Sequence, residues 1–334
     1  MRLIQSLRGS GAPLQHRPGA RVPIIDGSQQ LNINAIEYEG VTWYDLQQPG
    51  TAEMAYLRDN FPFHPLDLED AVSRGQLPKL DRYPSYIFLV LHFPVFNHRS
   101  RLTRPSQVAV FAGESYVVTV HPGELRPLTK MLEDCQQSEE VRREHMNFGT
   151  GFMLYQVLAR LVDYSLPILN KLISQVDGLE TMLFDRKSRN LLRDLAFLRR
   201  DILSYRRIVR PQIPVIEALE SQEFAFLKVS SDVYFGDLAD KMRRIWVELE
   251  ELKEVGEGLQ DTYAQLTNQH TNEVIRLLTV FASIMLPLTV VTGFFGMNVE
   301  LPLAGVSWAY GVILAVMVAI SVAFVLFPVR RRWT

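Results

Sequence analysis

The chain has 334 residues, with 35 Lys and Arg against 37 Asp and Glu, a formal net charge of -2. That balance gives no electrostatic reason to invoke a nucleic-acid partner. The one cysteine, Cys135, excludes an internal disulfide and a cysteine zinc cluster and fits a reducing cytoplasm.

Residues 1–30 are rich in Gly, Pro, Arg and Gln and read as a flexible start, with no apolar run of signal-peptide length. Residues 31–149 read as a mixed α/β domain with a mostly antiparallel sheet. Asn32–Tyr38 and Val41–Leu46 alternate around a Glu39-Gly40 turn. His64–Val72 reads as a short helix with acids on one face. Tyr86–Val95 is a buried strand, and Gln107–Val120 splits into a hairpin around Gly113-Glu114. Pro127–Cys135 reads as a helix with proline in its first turn.

Residues 150–230 read as a long helical hairpin. Phe152–Phe184 and Ser188–Glu220 are its arms, Asp185-Arg186-Lys187 its tip, and Pro211 and Pro214 bend the second arm. A stalk helix follows over 231–274. Leu238, Met242, Ile245, Leu249, Leu252, Gly256, Leu259, Tyr263 and Leu266 step by 4 and 3, a heptad seam that predicts a coiled-coil-like helix and a means of oligomerising. No proline interrupts Ser231–Leu286, so the helix is expected to run unbroken into the apolar stretch that begins at residue 275.

From Leu277 to Val299 there is no charged side chain. At ~1.5 Å rise per residue that run is long enough to cross a bilayer core. A first membrane helix is expected over 275–298, an outer loop over 299–307 and a second membrane helix over 308–329. The basic end, 330–334, carries Arg330-Arg331-Arg332, which places both termini in the cytoplasm by the positive-inside rule. Along the first span, Asn272, Ile275, Thr279, Ala282, Leu286, Thr289, Gly293 and Gly296 form a stripe smaller and more polar than the rest. The stripe reads as helix packing or as one wall of a pore in a symmetric oligomer. Pro287 leaves the carbonyl near Ser283 without its helical donor. No nucleotide loop, HExxH spacing or nucleophile elbow is present, so an enzyme is not expected.

Gly296-Met297-Asn298 at the end of the first span resembles the CorA family of divalent-metal transporters. So do TNEVIRLLT, MLPLTVVTGFFGMN, the Trp308/Tyr310 loop, RRRW, HPLDLEDAVSRGQLPKLDRYPSYIFLVL and YFGDLADKM. The resemblance covers roughly 60–334. It implies an α+β cytoplasmic domain, a long helical stalk and two membrane helices, assembled as a funnel-shaped homopentamer in the cell (inner) membrane. It also implies an outer ring at Asn298, shaped by Gly296 and Met297, and a pore lined by Asn272, Ile275, Leu278 or Thr279, Leu286, Thr289 and Gly293. The cargo would be Mg²⁺, with Co²⁺ or Ni²⁺ as passengers, and no organic cofactor. Glu300, the only carboxylate of the outer loop, reads as a cation concentrator or a solvated acid.

On spacing alone Glu69-Asp70 and Asp237-Asp240 read as solvated acids near helix starts. The resemblance implies that Asp70 and Asp237, with Glu69 and Asp240 as secondary ligands, hold regulatory Mg²⁺ between subunits. Lys241 stands where some members have a histidine. Two alternatives remain at this point: a zinc transporter or Mg²⁺ efflux protein on the same scaffold, and a membrane-anchored sensor or scaffold. His64, His92 and His270 are scattered and offer no soft-ligand argument for zinc.

Overall fold

The computed structural model describes residues 31–97, 99–100, 102–183, 190–297 and 308–330. The expected flexible start, the hairpin tip at Asp185, the outer loop with Asn298 and Glu300, and Arg331-Arg332 lie outside the described residues. Contacts divide the chain into two compact units, one ending at Leu259 and one beginning at Gln260.

The first unit is built on one sheet. Strands β1 (Ile33–Tyr38) and β2 (Val41–Gln47) form an antiparallel hairpin. Its two-residue turn puts Glu39 at φ 46° and Gly40 at φ 81°, the left-handed pair that tight hairpins require. Strands β3 (Lys79–Arg82), β4 (Tyr86–Asn97), β5 (Leu102–Gly113) and β6 (Tyr116–His121) complete the order β1-β2-β6-β5-β4-β3. Every neighbouring pair is antiparallel except β2 and β6. Six consecutive buried residues, Tyr86–Leu91, mark β4 as covered on both faces.

One face carries α1 (Thr51–Asn60) and α2 (Pro65–Val72), whose Leu57, Leu68 and Ala71 join Phe88, Val90, Phe111 and Val118 in one core cluster. The chain continues through α3 (Arg126–Gln137), α4 (Glu139–Met146), α5 (Thr150–Leu183) and α6 (Leu191–Val209). Polar pegs fasten α6 to β5. The Thr103 N–H donates to Asp201 Oδ1 at 2.5 Å, and the Ser204 hydroxyl donates to the Thr103 carbonyl at 2.6 Å. The Tyr205 hydroxyl, fully buried, donates to the Ser165 carbonyl of α5 at 2.7 Å. Helix α5 is apolar and long enough to span a bilayer, but most of its apolar window is buried in the unit, so it is a core helix. At Pro211 the second arm tightens into a 3₁₀ turn (Arg210–Gln212) and resumes as α7 (Ile213–Ser221).

Helix α8 (Ser231–Phe295) is continuous over 65 residues and contains Pro287. The heptad seam corrects one expectation. Leu238, Met242, Ile245, Leu249, Leu252, Gly256 and Leu259 are already buried by their own chain. Gly256, for example, faces Ile202 of α6, whose Cδ1 lies 3.8 Å from where a Cβ would stand. That part of the seam is intrachain core and is not free to oligomerise the protein. Helix α9 (Ala309–Arg330) follows in the second unit. Elements not read in the sequence are α1, α4 and β3, which are short and largely polar.

Candidate functional site

The membrane part of α8 has an uncovered face. Within the second unit, Val280, Ser283, Ile284, Pro287, Leu288 and Val291 are partly covered. At 100° per residue these positions cluster on one side. On α9 the partly covered positions are Ile313, Met317, Ile320 and Ser321. The predicted stripe, Ile275, Thr279, Ala282, Leu286, Thr289 and Gly293, falls on the opposite side of α8, and all six are exposed. Asn272 and Leu278 are exposed as well.

The hydroxyl groups on this helix have a fixed sense. Thr279 donates to the Ile275 carbonyl at 2.8 Å and Thr289 to the Met285 carbonyl at 2.8 Å. Each hydroxyl proton is thereby spent on the backbone one turn back, which leaves the oxygen lone pairs as acceptors. An acceptor is what the water shell of a cation needs. The helix ends at Phe295, and the Gly296 N–H bonds the Thr292 carbonyl at 2.9 Å. A Cβ on Gly296 would stand 3.0 Å from that same carbonyl, so glycine suits the tight exit. Met297 is exposed at the end of the described segment.

The four predicted acids divide by partner. Asp70, on α2, places Oδ2 2.7 Å from Lys79 Nζ and accepts from Gln76 Nε2 at 2.8 Å. The same ammonium lies 2.5 Å from Asp81 Oδ2. Asp237 Oδ2 lies 3.2 Å from Lys241 Nζ and accepts from the Tyr155 hydroxyl at 3.3 Å, and the Lys241 ammonium also lies 3.3 Å from Asp163 Oδ1 on α5. Asp240 pairs with Arg243 at 2.7 Å, and that guanidinium also holds Glu217 and Glu220 of α7. Glu69 is exposed. Among the described residues no group of three or more His, Cys, Asp or Glu side chains is placed to hold a metal ion.

The partners Lys79, Asp81, Asp163 and Tyr155 do not stand out in the sequence, because they lie on separate elements. For both lysines burial disfavours the charged form, but the hydrogen bonds they donate to the flanking carboxylates, together with the carboxylates' charge, outweigh it and hold the pKa above its usual value. Asp67, one helical turn before Ala71, is buried and accepts from Tyr86 at 3.0 Å and Tyr83 at 3.1 Å. Burial raises its pKa, and the two hydroxyl bonds only partly oppose that. Carboxylate oxygens are the hard donors that Mg²⁺ takes, yet at Asp70 and Asp237 an ammonium already occupies the position of a counter-ion.

The CorA-like Mg²⁺ transporter protein family matches residues 38–331. The chain belongs to this family. YfjQ of Bacillus subtilis strain 168 is 28% identical over 309 residues, which cover 91% of this chain and 94% of its own. The cobalt/magnesium transport protein CorA of Thermotoga maritima is 27% identical over 274 residues, covering 82% of this chain and 77% of its own. The solved structure of the CorA magnesium transporter from Methanocaldococcus jannaschii superposes with a TM-score of 0.77 at 21% identity, covering 90% of this chain and 94% of its own. That likeness establishes the fold. Membership makes the chain a divalent metal ion transporter of the membrane and not an enzyme. The α/β domain, the long helix and the apolar helices agree with the architecture that the motifs implied.

Proposed function

We propose that the chain forms a homopentameric channel for Mg²⁺, with Co²⁺ as a second passenger, through which cations enter the cell down their electrochemical gradient. The observation that carries this reading is the α8 stripe. It is uncovered in the single chain, lies opposite the partly covered face, and offers hydroxyl oxygens as acceptors. Copies of one helix meeting along such a stripe enclose a path lined by Asn272, Thr279, Thr289 and the Gly293 backbone, with no carboxylate ring. Mg²⁺ gives up its water reluctantly, so a lining of acceptors suits an ion that passes with its shell attached. Leu286, Leu278 and Ile275 supply rings that close by dewetting.

Asn298 forms the outer ring, with Gly296 and Met297 turning the chain there, and Glu300 raises the cation concentration at the mouth. Inward movement of a divalent ion is driven by about 4.6 kcal/mol per 100 mV, twice the single-charge value. The Arg330–Arg332 cluster supports cytoplasmic termini. Cytoplasmic Mg²⁺ held between subunits at Asp70 and Asp237, with Glu69 beside them, closes the path. A Co²⁺ passenger is supported by the relative named a cobalt/magnesium transport protein. The test is Mg²⁺ uptake into dye-loaded liposomes by wild type and Asn298→Ala. Uptake by wild type and its loss in the variant are expected, and equal uptake in both would sink the outer-ring assignment.

A further inference from the structure

Two lysines stand in the same relation to the acids predicted to bind metal. Lys79, on β3, bridges Asp70 of α2 and Asp81 of its own strand, at 2.7 and 2.5 Å. Lys241, on α8, bridges Asp163 of α5 and Asp237 one turn back on its own helix, at 3.3 and 3.2 Å. In each case one ammonium is shared by two carboxylates from two elements, the position from which a divalent ion would bridge them. Each is secured by a further contact. Lys79 Nζ lies 5.1 Å from the Phe88 ring centroid, and the Asp237 oxygen that Lys241 holds is also bonded by Tyr155.

We propose that Lys79 and Lys241 are resident counter-ions of the acidic site, so that a divalent cation binds Asp70 or Asp237 only by displacing an ammonium. This rests on the regulatory role given to those acids above. It adds that the chain's own lysines set the concentration at which that role begins. The displaced group remains tethered and nearby, and it repels the incoming ion. The apparent affinity is therefore weaker than two bare carboxylates would give, and the site responds only when the internal cation concentration is high. Asp240 differs from the other two. Its partner Arg243 is bonded to three carboxylates at once, two of them on α7, and that guanidinium ties α7 to α8 without yielding to a metal.

The experiment titrates MgCl₂ against the thermal stability of the detergent-solubilised full chain at constant ionic strength. It compares wild type, Lys79→Met, Lys241→Met, the two charge-keeping Lys→Arg variants, and Lys241→Met combined with Asp237→Asn. Removing a like charge ~4 Å from the bound ion is expected to lower the Mg²⁺ midpoint by about tenfold, about 1.4 kcal/mol, in each Met variant. The Arg variants keep the counter-charge and do not lower the midpoint, and the added Asp237→Asn abolishes the gain of Lys241→Met. Unchanged or raised midpoints in both Met variants, or no Mg²⁺ dependence in any protein, overturn the proposal. Because the readout is stability, it is independent of conduction. A wild type that carries no Mg²⁺ flux would refute the channel reading and leave the midpoints as a separate test of the lysines.

Discussion

Arg206 gives the sharpest energetic test of how α8 is held. Its guanidinium lies over the Trp246 ring, 5.1 Å from the centroid, and pairs with Glu250 one turn further along the same helix. The two side chains of the pair are 18% and 33% exposed, so solvent screens the pair only in part. A partly desolvated cation–π contact contributes about 1–2 kcal/mol, and an ion pair of this exposure about 1 kcal/mol. Against these, Arg206 Nε is buried without a hydrogen-bond partner, which costs about 1 kcal/mol. Arg206→Met keeps the aliphatic stem packing and removes all three effects, for a net loss of about 1–2 kcal/mol. In a unit of this size that corresponds to a fall of about 2–8 °C in the melting temperature. Arg244→Met, at an exposed position of the same helix, changes the net charge equally and is expected to stay within about 0.5 kcal/mol. A double-mutant cycle between Arg206→Met and Trp246→Leu is expected to show coupling of about 1 kcal/mol. If Arg206→Met melts with Arg244→Met, and the cycle closes at zero, α8 is not strapped to α6 in the way described.

Two other outcomes follow from the first unit. A Cβ at Gly151 would lie 2.4 Å from Val229 Cγ1 and 2.6 Å from the Leu227 carbonyl, so Gly151→Ala forces α5 away from the segment that leads into α8. It is expected to cost about 1–3 kcal/mol, read as a lowered melting temperature, whereas Gly178→Ala, with nothing within 4 Å, does not destabilise. Burial lowers the pKa of His145 below its usual 6.5. The unfolded chain then binds more protons than the folded one as pH falls below 6.5, and stability declines there. His145→Leu is expected to narrow the difference in melting temperature between pH 5.5 and 7.5, and an unchanged difference would contradict the assignment.

Periodicity made the long elements legible. The run YIFLVL is apolar without alternation because β4 is covered on both faces, and the uncharged run after Leu277 is long enough to span a bilayer. The 3-4 spacing of Leu238–Leu259 correctly marks a buried stripe, but spacing cannot say which helix buries it. A seam packed by α6 of the same chain and a seam packed by a second copy have the same pattern. Short elements with few apolar residues escaped for the same reason: KLDR in β3 carries one apolar residue and EEVRREHM in α4 only two. The acids at 70 and 237 were visible as charges, yet the bridges were not: Lys79 is nine residues from Asp70, and Asp163, which shares Lys241 with Asp237, is on another helix. Tertiary placement alone turned two solvated acidic pairs into two lysine bridges.

The claim most open to direct attack is that the uncovered stripe of α8 lines the ion path. The only native cysteine, Cys135, is buried, and burial pushes its thiol pKa up to about 11, so the wild-type background for thiol labelling is low. Single cysteines at Thr279, Thr289, Val280 and Val291 can therefore be treated with a charged, membrane-impermeant thiol reagent in liposomes while Mg²⁺ uptake is followed. Labelling and block at 279 and 289, with no effect at 280 and 291, is the predicted result. Block at 280 and 291 with silence at 279 and 289 would place the path on the other side of the helix and contradict the account.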